Sequence, residues 1–332
     1  MKKPPLLTRL YFAIGYIPGM VRAIQGTNKR LSLVDTDASQ LDFSPLIRKA
    51  KADPSFRPFV GANFQKTHLG GQDFSQMDFS EANFQGAALQ NTIFTSAVFK
   101  GANFHGANLT DADFEDANFY QDNPSASQTS LKAAILKGAR LNRAQLQEVD
   151  LTSAILKKAK LWNAHLGKAN LTGADLTEAD CTKAFLVKAS LREAKLINTL
   201  LIDTNASGAD CRGADFKWSR LIKTILRGAK LQRADLTRVY CHEADFTDAE
   251  ANAETRVGAN LIEAAVLSQP FQKLVKPLAL SKAAHHGMLT FSKTGQLQAE
   301  ISPAPPAMEG DSLSNPPSQP LGLIVPSQRT LL

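Results

Sequence analysis

Residue types that build metal and redox sites are scarce in this chain. Among its 332 residues there are three cysteines and six histidines. Cys181, Cys211 and Cys241 lie far apart in the sequence, whereas a structural zinc site needs cysteine or histidine pairs at short spacings. The sequence therefore predicts no metal site, and cysteines too far apart to form disulfides fit a reducing compartment.

Motifs for phosphate binding and for nucleophilic catalysis are also lacking. The chain contains no Gly-rich phosphate loop and no nucleophile elbow. His68, His105, His165 and His242 are dispersed along it, although a catalytic centre needs an acid, a base or a nucleophile that converge on one point. These observations predict a protein that is not an enzyme and that uses no cofactor.

Long apolar runs are absent as well. The N-terminal stretch Met1–Met20 is partly apolar, but Arg9, Gly15 and Pro18 interrupt it, and no small-residue cleavage site follows. It is also too short to span a bilayer. We expect a cytoplasmic protein; export as an effector and weak contact of this segment with a membrane surface are the alternatives.

What the chain does contain is a five-residue period. In Gly101–Tyr120, large apolar residues recur at every fifth position, at Phe104, Leu109, Phe114 and Phe119. An alanine stands two positions before each of them, and Asn or Asp stands between the two. Since this period matches neither a helix nor a strand, it indicates a structural repeat.

The period covers most of the chain. It runs from Phe59 to Phe119, shifts its phase across Gln121–Ser130, resumes at Leu131 and ends near Val266. Polar residues and an Asn-Pro turn signal mark the interruption. The sequence therefore predicts two repeat blocks that are joined by a loop.

Side-chain direction explains the repeat. In an extended segment, residues two apart point the same way, so each large apolar residue and its alanine face inwards while the residue between them faces solvent. Leu69, Leu89 and Leu109 replace Phe at every fourth repeat unit, which favours coils of four units with a filled axis. The side chains predicted to fill this axis include Phe64, Leu69, Phe74, Phe79, Phe84, Leu89, Phe104, Leu109, Phe114, Leu171, Leu176, Cys181, Cys211 and Cys241.

The repeat unit reads A-(D/N)-(L/F)-x-x, as in Ala169–Gly173 and Ala174–Glu178, and it resembles that of the pentapeptide-repeat proteins. The resemblance implies an all-β solenoid, a right-handed quadrilateral β-helix. It does not imply one function, because the family includes gyrase-protecting DNA mimics, bacterial effectors delivered into host cells and proteins with no known role.

Helical caps are expected at both ends of the solenoid, because an uncovered end would expose core side chains and sheet edges. Ser44 and Pro45 suit the N-cap and first position of a short helix that ends before Asp53-Pro54. The predicted organisation is a non-repetitive segment with a helical cap (1–56), a first repeat block (57–120), a loop (121–130), a second block (131–266), a C-terminal helical cap (267–290) and a Pro-rich disordered tail (291–332).

Charge divides the two blocks. The first leans acidic, and the coils after the loop carry a basic band. Loops on a rigid scaffold often carry recognition, so the loop and the band are the candidate contacts for a partner. These residues are Asp122, Asn123, Pro124, Lys132, Lys137, Arg140, Arg143, Lys157, Lys158 and Lys160.

Two functions remain open from the sequence. The favoured one is a bacterial protein–protein interaction scaffold, with homodimerisation through the C-terminal cap. The second is a DNA mimic that binds a type II topoisomerase (gyrase) and gives drug protection or immunity, although a net charge of +7 disfavours attraction to a positive DNA groove. Nucleic-acid binding is not expected, because the basic band is accompanied by one outward ring, Trp162.

Overall fold

The fold is described from a computed structural model, which defines residues 31–39, 41–258, 266–274, 289–291 and 297–299. The predictions for the N-terminal segment 1–30, for residues 259–265 of the second block, for residues 275–288 of the C-terminal cap and for the tail 300–332 lie outside these residues.

Parallel bridges between successive coils build the solenoid. Asn63 pairs with Asn83, His68 with Ala88, Asp73 with Ile93, and Asp78 with Val98. Each partner is twenty residues further on, so one coil contains four five-residue units. These bridges continue through most of the described chain and define four rows of outward residues. We call them the first to the fourth row, which contain Asn63, His68, Asp73 and Asp78 in that order.

The backbone hydrogen bonds of each bridge run between neighbouring coils. Phe64 N–H donates to Asn83 O at 2.7 Å, and Asn83 N–H donates to Ala62 O at 2.9 Å. Most bridges involve one residue per coil. Two longer parallel pairs lie near the C-terminal end, where β1 (Asp235–Leu236) pairs with β3 (Arg256–Val257) and β2 (Asp245–Phe246) with β4 (Val266–Leu267).

A tight turn separates successive units. In the first turn Ala62 N–H donates to Phe59 O at 3.1 Å, and Gly61 has a φ of +61°, as the third position of a type II turn requires. Many turns place a non-glycine residue there, including Asp116, Arg143 and Trp218. The sequence predicts the turns but not this left-handed conformation, since the two turn positions accept most residue types.

The interior is a continuous stack of side chains. In the first block phenylalanine rings lie directly over one another: the Phe84 ring centroid is 5.0 Å from that of Phe64 and 4.7 Å from that of Phe104. In the second block the same positions are filled mostly by leucines, together with the three cysteines, Phe216 and Phe246. All of the axis residues that the sequence singles out are buried: Phe64, Leu69, Phe74, Phe79, Phe84, Leu89, Phe104, Leu109, Phe114, Leu171, Leu176, Cys181, Cys211 and Cys241.

Several alanine positions are occupied by threonine, and each of these hydroxyls is satisfied. Thr92, Thr199 and Thr204 are buried. Their hydroxyls donate to the carbonyls of Leu69, Leu176 and Cys181 at 3.1, 2.8 and 2.7 Å. A buried hydroxyl without such a partner would destabilise the core, so these substitutions fit because a carbonyl of the preceding coil faces them.

The interruption between the blocks leaves the bridges in place. Across it, Asn103 pairs with Ser130 and Asn118 with Gln145, so the partner lies 27 residues on instead of 20 (130 − 103 = 27). Seven additional residues therefore project from the coil. They leave the stacking of the core positions intact, because Phe119 and Leu131 are both fully buried.

The solenoid begins earlier than the sequence predicts. Ser32 pairs with Asn63 and Asp37 with His68, and Leu33 and Ala38 are buried beneath the first coil. Residues 31–38 thus extend the bridged rows within the segment that the sequence marks as non-repetitive. The period is concealed because a helix is inserted after them.

That helix is α1, Ser44–Ala52. Its buried residue is Leu46, and the Phe43 ring just before it packs at 5.2 Å from the Phe74 ring. The prediction of Ser44 as the N-cap is wrong: Phe43 holds that position without a side-chain cap. Asp42 Oδ1 instead accepts the Ser44 N–H at 2.9 Å.

The C-terminal end also departs from the strict period. Arg256 is exposed, and its neighbour Val257 packs against the core, because the register of β1 and β3 has gained one residue. Residues 269–274 are helical, and the Phe271 ring lies 5.1 Å from the Phe246 ring. Further on, β5 (Leu289–Phe291) pairs antiparallel with β6 (Leu297–Ala299), where the sequence predicts the end of the cap and a disordered tail.

Candidate interaction surface

The outward carboxylates mostly serve the turns. Asp73 Oδ1 accepts the backbone N–H of Ser75 at 2.9 Å and its hydroxyl at 2.6 Å, and Asp150 binds Thr152 in the same way. The Ser75 hydroxyl and N–H lower the pKa of Asp73. These carboxylates are therefore satisfied by the turn that follows them.

Three acidic residues of the first block are paired across the loop with the basic band. Arg143 donates to Asp116, with Nε 2.7 Å from Oδ1, and to Glu115 Oε1 at 2.7 Å. Arg140 also contacts Glu115, and its Nη1 lies 3.7 Å from Asp113 Oδ2. The hydrogen bonds from Arg143 lower the pKa of Asp116. The last coil before the loop and the first coil after it are therefore held together by complementary charge.

The lysines of the basic band differ in whether they form ion pairs. Lys157 pairs with Asp175 at 3.3 Å and Lys158 with Glu178 at 3.4 Å. Lys132, Lys137 and Lys160 have no ion pair with any described residue. The structure therefore brings the predicted contacts together along neighbouring coils but leaves only part of their charge free.

The loop itself is anchored at both ends. Thr129 is buried, and its hydroxyl lies 2.6 Å from Phe119 O and 3.0 Å from the Gly101 N–H. Asp122 pairs with Lys100 at 3.1 Å, whereas Asn123 and Pro124 are exposed. The tip of the loop is thus exposed, whereas hydrogen bonds of Thr129 and the ion pair of Asp122 fix its two ends.

A second surface was not predicted from the sequence. Trp218 and Tyr240 are 53% and 44% exposed, and Arg238 Cζ lies 4.5 Å from the Trp218 ring centroid. Arg220 and Tyr240 are bridge partners on adjacent coils. The sequence carries a signal for this surface in the two motifs Trp218-Ser219-Arg220 and Arg238-Val239-Tyr240. Their large side chains stand at outward positions where the fold does not require them.

The three cysteines are fully buried. Burial raises the pKa of the Cys181 thiol to about 12 and also raises that of Cys211. A thiol is nucleophilic only as the thiolate, so these side chains pack as small apolar groups. Within the described part of the chain, no group of three or more His, Cys, Asp or Glu side chains is placed to hold a metal ion, and no helix has the length and apolar character to cross a membrane.

The bridges, turns and filled axis define the fold as a right-handed β-helix solenoid. The profile of the family described as Pentapeptide repeats matches the chain in eight copies, in segments that run from residue 59 to 121 and from 127 to 250. The chain belongs to the pentapeptide repeat family.

Solved structures of the same family resemble parts of the chain. HetL of the cyanobacterium Nostoc sp. strain PCC 7120, involved in heterocyst differentiation regulation, is 28% identical, covering 63% of this chain and 95% of HetL, with a TM-score of 0.34. QnrB1, a plasmid-mediated fluoroquinolone resistance protein, is 20% identical over 56% of this chain and 90% of its own, with a TM-score of 0.26. A protein of the Arabidopsis thaliana thylakoid lumen is 27% identical over 39% of this chain and 71% of its own, with a TM-score of 0.18. No curated protein sequence matches the chain.

Proposed function

We propose that the chain is a non-enzymatic bacterial scaffold that binds another protein through the outward side chains of its coils. The filled axis is the observation that carries this proposal. Alanine and large apolar side chains such as Ala107 and Leu109 are fully buried in coil after coil. The side chains of the described residues that a partner could contact therefore lie on the surface. A surface that is already ordered loses little conformational entropy on binding.

The architecture proposed for this scaffold is a coil with four sides, quadrilateral in section and capped at both ends. The four turns in each coil support the section. Phe43 and Leu46 cover the first coil and Phe271 covers Phe246, which supports the caps. The two repeat blocks, with the loop between them, form one continuous body in the bacterial cytoplasm or in an exported effector.

Affinity capture with a matched variant tests the scaffold proposal. The full chain and a triple variant, Lys132→Glu, Lys137→Glu and Lys160→Glu, are used as bait in native lysate, and captured proteins are quantified by mass spectrometry. These three lysines have no ion pair with a described residue, so reversing them should leave the fold intact. We expect at least one protein to be captured directly and stoichiometrically by the full chain; reproducible capture of none would contradict the proposal.

The DNA-mimic hypothesis is the second candidate, and the acidic first block is the observation behind it. Pairing of Glu115 and Asp116 with arginines weakens it, because those carboxylates cannot stand in for free phosphates. A gyrase supercoiling assay separates the two candidates. Inhibition or drug protection at stoichiometric protein would favour the mimic, and no effect at large excess would exclude it.

A further inference from the structure

The two exposed aromatic residues near the C-terminal end of the described coils lie in one patch with two arginines. Trp218 and Arg220 stand two residues apart on one coil, and Arg238 and Tyr240 stand two apart on the next. The bridge between Arg220 and Tyr240 and the 4.5 Å contact of Arg238 with the Trp218 ring hold the two pairs side by side. We call these four residues the aromatic–arginine patch.

Folding alone does not account for Trp218. Its φ is +62°, and it is the only aromatic residue with positive φ in the described part of the chain. The left-handed region disfavours residues with a side chain, and Trp218 recovers little of this by burial because half of it is exposed. In the same turn of other coils stand Gly71, Asn91 and Gly138 but also Lys158, Glu178 and Arg238, so this turn accepts most residue types and does not require a large ring. Because the fold does not require the ring and Trp218 is 53% exposed, its presence supports a role in binding.

The charge of the patch is also unsatisfied. Arg220 and Arg238 have no ion pair with any described carboxylate, although Lys217, Lys223 and Arg227 beside them all do. Half-buried Leu200 and Ile222 flank Arg220. Leu200 is its bridge partner on the preceding coil, and Ile222 follows it by two residues in the chain. The patch therefore offers two free guanidinium groups among aromatic and aliphatic surface.

We propose that the aromatic–arginine patch binds an acidic protein segment that carries aliphatic or aromatic side chains. Carboxylates of the segment pair with Arg220 and Arg238 in bidentate geometry, and its apolar side chains pack on Trp218 and Tyr240. Tryptophan, tyrosine and arginine are the residues that most often dominate binding energy at protein interfaces. This inference rests on the proposed scaffold function and names the chemistry of its partner.

A protein segment fits the patch better than a nucleic acid. The bridged row of Arg220 carries Asp180, Leu200 and Tyr240 in the neighbouring coils, so it forms no continuous line of positive charge. Binding of single strands uses a positive groove that follows the backbone in addition to stacking rings. Here the positive charge is local, which matches a few carboxylates rather than a continuous polyanion.

Selection from a display library of random short peptides tests the proposal with the full chain as target. We expect the enriched peptides to be rich in Asp and Glu and to contain Leu, Phe or Trp. Their affinity should fall by about tenfold or more in Trp218→Gly and in Arg238→Glu. Glycine tolerates the positive φ, so Trp218→Gly removes the ring without disturbing the turn.

Arg233→Glu is the matched control, because Arg233 and Arg238 both have a φ of +61° and both are exposed without an ion pair. It should change peptide affinity less than about twofold. In a Trp162→Phe background Trp218 is the only tryptophan, since the chain has two, and a bound peptide free of tryptophan should shift its fluorescence.

The possible results separate the two proposals. Peptides that bind but are insensitive to Trp218→Gly and Arg238→Glu would overturn the patch and leave the scaffold function standing. Enrichment of no peptide would contradict both. An oligothymidylate probe that binds and is lost in Trp218→Gly, while acidic peptides do not bind, would show a nucleic-acid site and overturn the proposal as stated.

Discussion

Arg143 on the first coil after the loop donates to Asp116 on the last coil before it, with Nε 2.7 Å from Oδ1. The contact forms although 27 residues (143 − 116 = 27) separate the two, because the bridges carry the coil register across the insertion. Arg143 also binds Glu115. The two repeat blocks are therefore coupled both through the core and by surface charge.

Replacing Arg143 by alanine should destabilise the protein only slightly. Arg143 and Asp116 are 40% and 42% exposed, so solvent screens the pair, and we expect only a small loss in the free energy of unfolding. The effect should shrink in high salt. Urea unfolding followed by circular dichroism measures it, with Lys188→Ala as control, because Lys188 has a similar positive φ and no ion pair. A loss of several kcal/mol would show that the pair is not screened.

Deleting residues 122–128 should leave the solenoid folded. The deletion removes seven residues and joins Gln121 to Thr129, so that Phe119 and Leu131 regain the five-residue spacing (131 − 119 − 7 = 5) of uninterrupted units. Loop length has only a weak effect on stability, and we expect a change within about 1 kcal/mol. Thermal and urea unfolding of the deletion variant check this. A matched deletion of six residues, which breaks the register, should be clearly destabilised; equal stability of the two variants would contradict the register argument.

Phe84→Ala should cost about 3–5 kcal/mol. The Phe84 ring lies between those of Phe64 and Phe104, at 5.0 and 4.7 Å, so its removal opens a cavity that neighbouring coils cannot close. Phe84→Leu is the control, because leucine already fills the stacked position in another coil, at Leu131, and it should cost distinctly less. Urea midpoints measure both variants, and a loss under about 1 kcal/mol for Phe84→Ala would mean that the ring is not part of a close-packed core.

Acid should destabilise the fold below about pH 4. Hydrogen bonds from Ser75 and from Arg143 lower the pKa values of Asp73 and Asp116 from their ordinary value of 3.8. Because the folded state holds these carboxylates ionised more strongly than the unfolded state does, their contribution is present above pH 3.8 and is lost as the pH falls through the lower folded values. Urea midpoints between pH 7 and pH 2 should stay level and then fall. A main loss near pH 6 would implicate histidine and contradict this origin.

The sequence predicts the interior well because burial restricts it. Phe84 and Leu109 point to the axis of the coil and are fully buried, so these positions must be apolar and recur every five residues. Their spacing alone therefore predicted that they lie in the core. Leu33 was missed because α1 separates its unit from the first coil and hides the period. Val257 was missed because one added residue shifts the register without leaving a sequence signal.

The candidate surface was much less predictable. The ion pairs of Arg140 and Arg143 depend on which coils become neighbours, and only the bridges reveal that the loop leaves the register intact. Trp218 and Arg238 occupy turn positions that accept almost any residue, so the five-residue pattern says nothing about them. Their contact requires the 20-residue coil, which brings the two turns into adjacent positions.

Distances between spin labels test most directly whether each coil contains four units and whether the coils form a rigid surface. Cysteines introduced at Gln65, His105 and Arg192 stand two residues after Asn63, Asn103 and Ser190 of the first row. Six bridges separate the first label from the last, and four separate the second from the last, at about 4.8 Å each. The native thiols are buried, so the introduced ones react first. We expect two narrow distance distributions that differ by about 10 Å; broad distributions, or a difference far from this value, would contradict the four-unit coil.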